Sequence, residues 1–399
     1  MKAAYIVDIL RTPIGKFGGS LATVRPDDLA ALVIKKLLER NKAVEPGLIE
    51  DVVFGAANQS GEDNRNVARM AALLAGLPVD VGGVTVNRLC ASGLQAIMDA
   101  ARGIMLGQGD IYIAGGVESM SRAPFVMAKS EEAFSRKTEI YDTTLGWRFV
   151  NSKLSALYHP YSMGETAENV ADKWNISRQA QDEFAYGSSQ KYFHASDDGK
   201  FASELISVPV TTSKGEINQF EKDEHPRATS LEKLATLKAA FKTNGSVTAG
   251  NSSGINDGAA ACLVVSEDVL KKLSLTPLVR IVSMAIAGVD PAYMGVGPVP
   301  ATRKALSRAG INIADIGLVE LNEAFASQSL ACIKDLDLNP EIVNVNGGAI
   351  ALGHPLGCSG VRISATLIHE MKKRKVKYGL ATMCIGVGQG AAVVYTTTP

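Results

Sequence analysis

The sequence predicts an α/β protein made of two copies of one β-α-β-α-β unit, with a further region inserted between them. Three observations predict this. Short, continuously apolar strands alternate with helical segments, as expected when strands are buried under helices on both faces. The order of elements in the first third of the chain recurs in the last third. Between the two, over about 121–249, the pattern gives way to charge clusters, turn residues and polar helices.

Taken in order, the chain opens with the strand Ala3-Ala4-Tyr5-Ile6-Val7 and an amphipathic helix over 31–38. The strand Asp51-Val52-Val53-Phe54-Gly55 then leads into Ala57-Asn58-Gln59. Next come strand 84–87, Cys90, a helix over 94–106 and the strand Ile111-Tyr112-Ile113-Ala114-Gly115-Gly116. The later copy has a helix over 301–306 and the strand Gly317-Leu318-Val319-Glu320-Leu321, followed by Asn322-Glu323-Ala324-Phe325. Strand 342–346, a turn holding His354, a helix over 361–371 and strand 380–384 complete it. The inserted region includes a polar helix over 177–194, and strand 259–265 resumes the first unit. The expected limits are 1–120 with 250–275 for the first half, 121–249 for the insertion and 276–399 for the second half. A chain of 399 residues is too long for one small core, which agrees with a doubled unit.

Composition narrows the function. The chain is 46% hydrophobic with only 6% aromatic residues and has 38 glycines, as expected of tightly packed helix and sheet layers. Forty-one basic residues balance forty-one acidic ones, so no global field recruits nucleic acid or a membrane surface. An anionic ligand must be held locally. Five cysteines without framework spacing indicate a reducing compartment. With neither a signal peptide nor an eighteen-residue apolar run, a cytoplasmic location is expected.

Two reactive residues sit where a strand ends and a helix begins, the place at which open α/β sheets hold ligands. Cys90 precedes a helix whose apolar positions Leu94, Ile97, Met98, Ala101 and Met105 share one face. A thiol there faces the positive helix end, which is expected to lower its pKa and favour the thiolate. His354 follows Gly347-Gly348-Ala349-Ile350-Ala351-Leu352-Gly353, small residues that let a substrate approach the backbone. Such a histidine can take a thiol proton and donate to a carbonyl oxygen through a ring N–H. A second cysteine, Cys384, opens the turn Gly386-Val387-Gly388-Gln389-Gly390. Taken singly, each of these residues is more often a buried structural one.

Two decoys compete. Gly250-Asn251-Ser252-Ser253-Gly254 matches the elbow of serine hydrolases, yet a strand follows it where a helix should begin. His354 and Cys358, four apart, could share a metal on a helix, but Pro355 and Gly357 argue against a helix there and no further ligand cluster accompanies them. No metal is expected. No phosphate-binding glycine loop follows a strand, so nucleotide hydrolysis and dinucleotide binding lack support.

The four blocks Val86-Asn87-Arg88-Leu89-Cys90-Ala91-Ser92-Gly93, Asn322-Glu323-Ala324-Phe325, Gly353-His354-Pro355-Leu356-Gly357-Cys358-Ser359-Gly360 and Cys384-Ile385-Gly386-Val387-Gly388-Gln389-Gly390 resemble, in this order, the motifs of the thiolase family. Thiolases cleave or form 3-oxoacyl-CoA thioesters. The resemblance implies a five-layered α-β-α-β-α core, with the insertion as a loop domain that covers the site and holds CoA. It implies that Cys90 is the acylated nucleophile, His354 its base, and Cys384 the acid that protonates the acetyl-CoA enolate. By the same resemblance the N–H groups of Cys90 and Gly386 hold the acyl-enzyme oxyanion, and Asn322 with His354 serves a second oxyanion site. Ala249 and Ser253 match the segment that contacts pantetheine, and Arg227 a residue near the adenine end. No permanently bound cofactor is implied, CoA being a substrate, and the partners are CoA thioesters and further copies of the chain in a homodimer or homotetramer. Val387 departs from the commonest glycine at its position. Because β-branched residues disfavour positive φ, the turn is expected to keep the Gly386 amide but change shape beyond it.

Thiolytic cleavage is the expected reaction, with condensation of two acetyl-CoA as the alternative. A decarboxylating condensing enzyme would carry His-His or His-Asn partners in place of Cys384, and a non-catalytic relative would lack Cys90, His354 or Cys384. The segments 61–69, 119–125 and 146–149 and the Val387 turn look most like thiolases acting on 3-oxoadipyl-CoA in aromatic degradation, and in part like those of fatty acid β-oxidation. A 3-oxoadipyl chain ends in a carboxylate that needs a cation once buried. Arg148, between Trp147 and Phe149, is the candidate, because its planar fork can bind a carboxylate through two hydrogen bonds.

Overall fold

The computed structural model describes residues 2–397; Met1, Thr398 and Pro399, which the expected domain limits include, lie outside the described residues. In the first half the strands run in the order Gly82–Val86, Asp51–Gly55, Ile111–Ser119, Asn256–Ser266, Ala4–Arg11. In the second the order is Leu318–Leu321, Tyr378–Ile385, Gln389–Thr396, Val279–Gly288. The halves meet where Tyr5 pairs with Arg280 and Ile6 with Val279.

Side-chain alternation sorts the strands into layers. Ile6, Ile9, Ala260, Cys262 and Val264 of the first half, and Ala381, Met383, Ala391 and Val393 of the second, pack into one cluster with the helices Ser92–Met105 and Leu356–Arg374. Their neighbours along each strand face outward. Tyr5, Val7 and Leu263 pack against the helices Pro26–Arg40 and Val67–Leu74, and Leu380 and Val394 against Pro298–Ala309 and Ala326–Leu336. The layers are therefore helix, sheet, helix, sheet, helix. Glycines let the two central helices touch: a Cβ on Gly93 would lie 2.6 Å from the Gly357 carbonyl oxygen. That contact brings the residues preceding both helices to one place.

Each half mixes parallel and antiparallel pairs. Asp51–Gly55 runs parallel to both neighbours, as does Leu318–Leu321 to Tyr378–Ile385, but the remaining pairs are antiparallel. Ile385 pairs with Gln389 across a three-residue turn, and a connection that short joins only antiparallel strands. The strand expected over 342–346 is reduced to one bridge between Val319 and Val343. Asn344, at φ 46°, uses its side-chain amide where a strand backbone would pair. It accepts from Leu321 N–H at 2.9 Å and donates to Leu321 O at 2.8 Å. The helix expected over 361–371 starts earlier, at Leu356, and includes Gly357.

The inserted region supplies the hairpin Phe125–Met127 with Ile140–Asp142, a second hairpin Val208–Thr211 with Ile217–Phe220, and the helices Met163–Trp174 and Arg178–Asp197. Ser162 and Glu165 form a capping box at the start of the first of these helices, which fixes Met163 beside the site described next.

Candidate active site

Strand Gly82–Val86 delivers the chain into a turn that side chains hold from both ends. Asn87 Oδ1 accepts from Leu89 N–H at 2.9 Å, and Ser92 Oγ donates to Leu89 O at 2.6 Å while accepting from Arg88 N–H at 2.9 Å. Leu89 takes φ 46°. Cys90 follows, two residues ahead of the helix Ser92–Met105, and is partly exposed. The N–H groups of Gly386 and of Cys90 itself reach its sulfur, yet burial, with the Glu118 carboxylate adding to it, pushes the thiol up to about 11. The expected lowering by the helix end is thus overturned. Cys90 precedes the helix cap, and desolvation outweighs the two amides.

His354 is buried, and its backbone N–H donates to Asn256 Oδ1 at 2.9 Å. Its Nδ1 lies 2.6 Å from Ser359 Oγ, which itself donates to Pro355 O at 2.8 Å. Since the one hydroxyl proton points to Pro355, Nδ1 is the donor to Ser359 and Nε2 carries the lone pair. Burial, aided by the Arg362 charge, pushes the imidazole down to about 3, so it is neutral and ready to accept a proton. Asn322 Nδ2 lies 3.4 Å from Nε2. The buried Asn322 Oδ1 has no hydrogen-bond partner among the described residues.

Cys384 is buried among Met294, Ala324 and Phe325, with Met163 against them. Burial first, then the neighbouring thiols Cys90 and Cys332, raise it well above the ordinary cysteine range. Next to it, Gly386 leaves room that a Cβ would take from Leu89 Cδ1 and Met163 Sδ, at 3.3 and 3.4 Å. Val387 does enter the left-handed region, at φ 63° with Gly388 at 79°. The expected change of turn shape therefore gives way to a strained residue held by the short hairpin.

A cavity of about 330 Å³ opens onto Cys90, Gly386, Glu118, Met163, Trp147 and Arg148. His354, Asn322 and Cys384 are buried and do not themselves line it. A second groove, about 220 Å³, is lined by Arg227 and Ala249 together with His225, Lys233, Gly250 and Ile350. Ser253 does not line it; its N–H donates to Ala324 O at 3.0 Å. Ser252, the decoy nucleophile, is buried with its hydroxyl donating to Thr248 O at 2.7 Å, and the strand Asn256–Ser266 follows. Cys358 is buried inside the core on the helix that starts after His354.

Glu118 escaped sequence reasoning. Its carboxylate accepts N–H groups from Ala57 at 2.9 Å, Asn58 at 3.1 Å and Gly357 at 2.8 Å, while burial pushes it up to about 7. It ties the 57–58 loop and the start of the histidine helix to the end of strand Ile111–Ser119. The available signal was a carboxylate closing an otherwise apolar strand.

Residues 4–268 match the family model "Thiolase, N-terminal domain" and residues 275–397 match "Thiolase, C-terminal domain". The chain belongs to the thiolase family. It is 55% identical over 397 residues, 99% of each chain, to the 3-oxoadipyl-CoA/3-oxo-5,6-dehydrosuberyl-CoA thiolase of Escherichia coli K12. Among solved structures, the Bacillus anthracis acetyl-CoA acetyltransferase superposes with a TM-score of 0.94 at 43% identity, covering 99% of each chain. Human mitochondrial 3-ketoacyl-CoA thiolase in complex with CoA gives 0.92 at 40% identity, covering 100% of this chain and 98% of that one. This thiolase is accordingly an acyltransferase that cleaves 3-oxoacyl-CoA thioesters with CoA. Among its described residues no helix is long and apolar enough to cross a membrane.

Proposed function

We propose that this thiolase cleaves 3-oxoadipyl-CoA to acetyl-CoA and succinyl-CoA in a ping-pong cycle on Cys90. The observation that carries the cycle is the neutral resting trio: a protonated Cys90 thiol, a neutral His354 with Nε2 unprotonated, and a protonated Cys384 thiol. His354 Nε2 takes the Cys90 proton as sulfur attacks the 3-oxo carbon. The bond between the second and third carbons breaks, and Cys384 gives its proton to the acetyl-CoA enolate. In the second half the proton on His354 first returns to the Cys384 thiolate; neutral His354 then takes the CoA thiol proton as that sulfur attacks the acyl group, and passes it to Cys90 as it leaves.

Two oxyanions need donors. The N–H groups of Gly386 and Cys90, already directed at sulfur, suit the acyl-enzyme oxygen, and His354 with Asn322 suits the thioester oxygen of the enolate. CoA is a substrate rather than a resident cofactor. Arg227 and Ala249 on the second groove fit its adenine and pantetheine portions, with Ser253 beyond them. The dicarboxylic substrate is supported by the name of the Escherichia coli relative, and its role is aromatic-compound degradation, with fatty acid β-oxidation as the related chemistry. A homodimer or homotetramer is supported by the partly exposed edge strand Gly82–Val86 and by the rule of two-fold pairing, and a cytoplasmic location by the five free cysteines.

Initial rates over a matrix of 3-oxoadipyl-CoA and CoA concentrations test the proposal. Parallel double-reciprocal lines with equal yields of acetyl-CoA and succinyl-CoA are expected. Intersecting lines would exclude the acyl-enzyme cycle.

A further inference from the structure

Arg148 lies in the wall of the cavity that contains Cys90, and among the residues lining it no other carries a positive charge. Its donors are free: no ion pair or hydrogen bond engages its side chain among the described residues. The other side-chain donors around the cavity are committed. Asn58 Nδ2 donates to Thr143 Oγ1 at 2.8 Å, Thr143 Oγ1 to Pro124 O at 2.6 Å, and Trp147 Nε1 to Tyr161 O at 2.9 Å. The Glu118 carboxylate that shares the cavity accepts the three backbone N–H groups described above and makes no ion pair with the guanidinium.

The segment is also held in place. Gly146 at φ 79° and Phe149 at φ 52° bracket Arg148, Trp147 is pinned through its indole N–H, and the Phe149 ring meets Tyr141 edge-on at 5.0 Å. A fixed backbone removes the loop's share of the ordering cost on binding and leaves only that of the Arg148 side chain. Beyond the carbon that Cys90 attacks, a 3-oxoadipyl chain continues through two methylenes to a carboxylate. Met120, Leu145 and Met163 line the same cavity and match the methylenes, which leaves the carboxylate to be met by a cation.

We propose that Arg148 is the specificity residue that binds the terminal carboxylate of a dicarboxylic 3-oxoacyl chain, in both the Michaelis complex and the succinyl enzyme. This rests on the acyl-Cys90 cycle proposed above and adds to it the reason for a dicarboxylic substrate. A carboxylate entering the cavity exchanges water for the planar donor pair of arginine. A neutral chain of equal length leaves that charge unmatched, so selection follows from the difference.

The test compares kcat/KM for 3-oxoadipyl-CoA, 3-oxohexanoyl-CoA and acetoacetyl-CoA in the wild type, Arg148→Met and Arg148→Lys. Wild type should prefer 3-oxoadipyl-CoA to its neutral six-carbon analogue. Arg148→Met should lower kcat/KM for 3-oxoadipyl-CoA by about 30-fold or more, leaving the two neutral substrates within about threefold. Arg148→Lys, which keeps the charge without the fork, should lose less than Arg148→Met. Equal losses on charged and neutral substrates, or equal losses in the Lys and Met variants, would reject Arg148 as a carboxylate ligand. Wild-type turnover of both neutral substrates with no preference for 3-oxoadipyl-CoA would reject the subsite and leave the acyl-Cys90 cycle standing. Failure to turn over any of the three would remove the cycle itself.

Discussion

The guanidinium of Arg88 donates to the side-chain oxygen of Gln389 at 2.8 Å, joining two turns 301 positions apart in the chain. Arg88 stands two residues before Cys90, and Gln389 three after Gly386, whose N–H reaches the Cys90 sulfur. Arg88 Nε is anchored in turn to Gln95 Oε1 at 2.7 Å on the nucleophile helix. The strap thus fixes the spacing between the attacking thiol and the amide aimed at it.

Loosening the strap should cost catalysis more than binding. Gln389→Ala is expected to lower kcat about 10- to 100-fold, the worth of a charge-assisted hydrogen bond, with little change in KM. Arg88→Met should add little on top of it, because both changes remove one interaction. Steady-state thiolysis by the single and double variants reads this. A rise in KM at constant kcat would show that the pair serves substrate binding instead.

Cys384→Ala should slow carbon–carbon cleavage by about two to four orders of magnitude, the range for losing a positioned acid. Exchange of labelled CoA with an acyl-CoA, which needs no enolate, should persist. A variant that cleaves normally but exchanges no acyl groups would reverse the roles of the two cysteines.

The raised Cys90 pKa sets a pH signature. Alkylation of Cys90 by iodoacetamide in the free enzyme should climb about tenfold per pH unit from pH 6 to 9 without a plateau, since the thiolate fraction keeps growing up to about 11. Glu118→Gln removes a nearby negative charge that opposes thiolate and should move the curve to lower pH. His354, held down at about 3, contributes no acid limb near neutrality. A plateau reached below pH 8 would restore the thiolate resting state.

The close contact of the central helices makes a stability prediction. A Cβ on Gly360 would fall 2.7 Å from Leu94 Cβ, so Gly360→Ala must shift one helix against the other. About 1 to 3 kcal/mol should be lost, measured from the urea midpoint at fixed protein concentration. An unchanged midpoint would mean that the helices move apart freely.

Much of this was legible in the sequence, and what was not depends on tertiary pairing. Continuous apolar runs such as 111–116 and 380–384 gave strands, and their recurrence with helices between gave the doubled, layered core. Cys90, His354 and Cys384 stood out through the thiolase-like motifs around them; Cys90 follows the strand Gly82–Val86 and Cys384 lies near the end of Tyr378–Ile385, whereas His354 follows the short helix Ala349–Leu352. The Cys90 pKa was misjudged because the burial that raises it arises only once distant segments pack together, whereas a helix end is visible locally. Asn344 replacing a strand, Glu118 collecting three amides and the Arg88–Gln389 strap all join segments distant in sequence, which no periodicity reports. Val387 shows a local rule overridden by hairpin closure.

The central claim is that the acyl group passes through Cys90. Rapid mixing of the enzyme with 3-oxoadipyl-CoA in the absence of free CoA, followed by acid quench, proteolysis and mass spectrometry, tests it most directly. A succinyl thioester on the peptide carrying Cys90, formed with one equivalent of acetyl-CoA and absent in Cys90→Ala, is the predicted result. Succinyl on Cys384 or Ser252, or acetyl-CoA released with every cysteine unmodified, would contradict it.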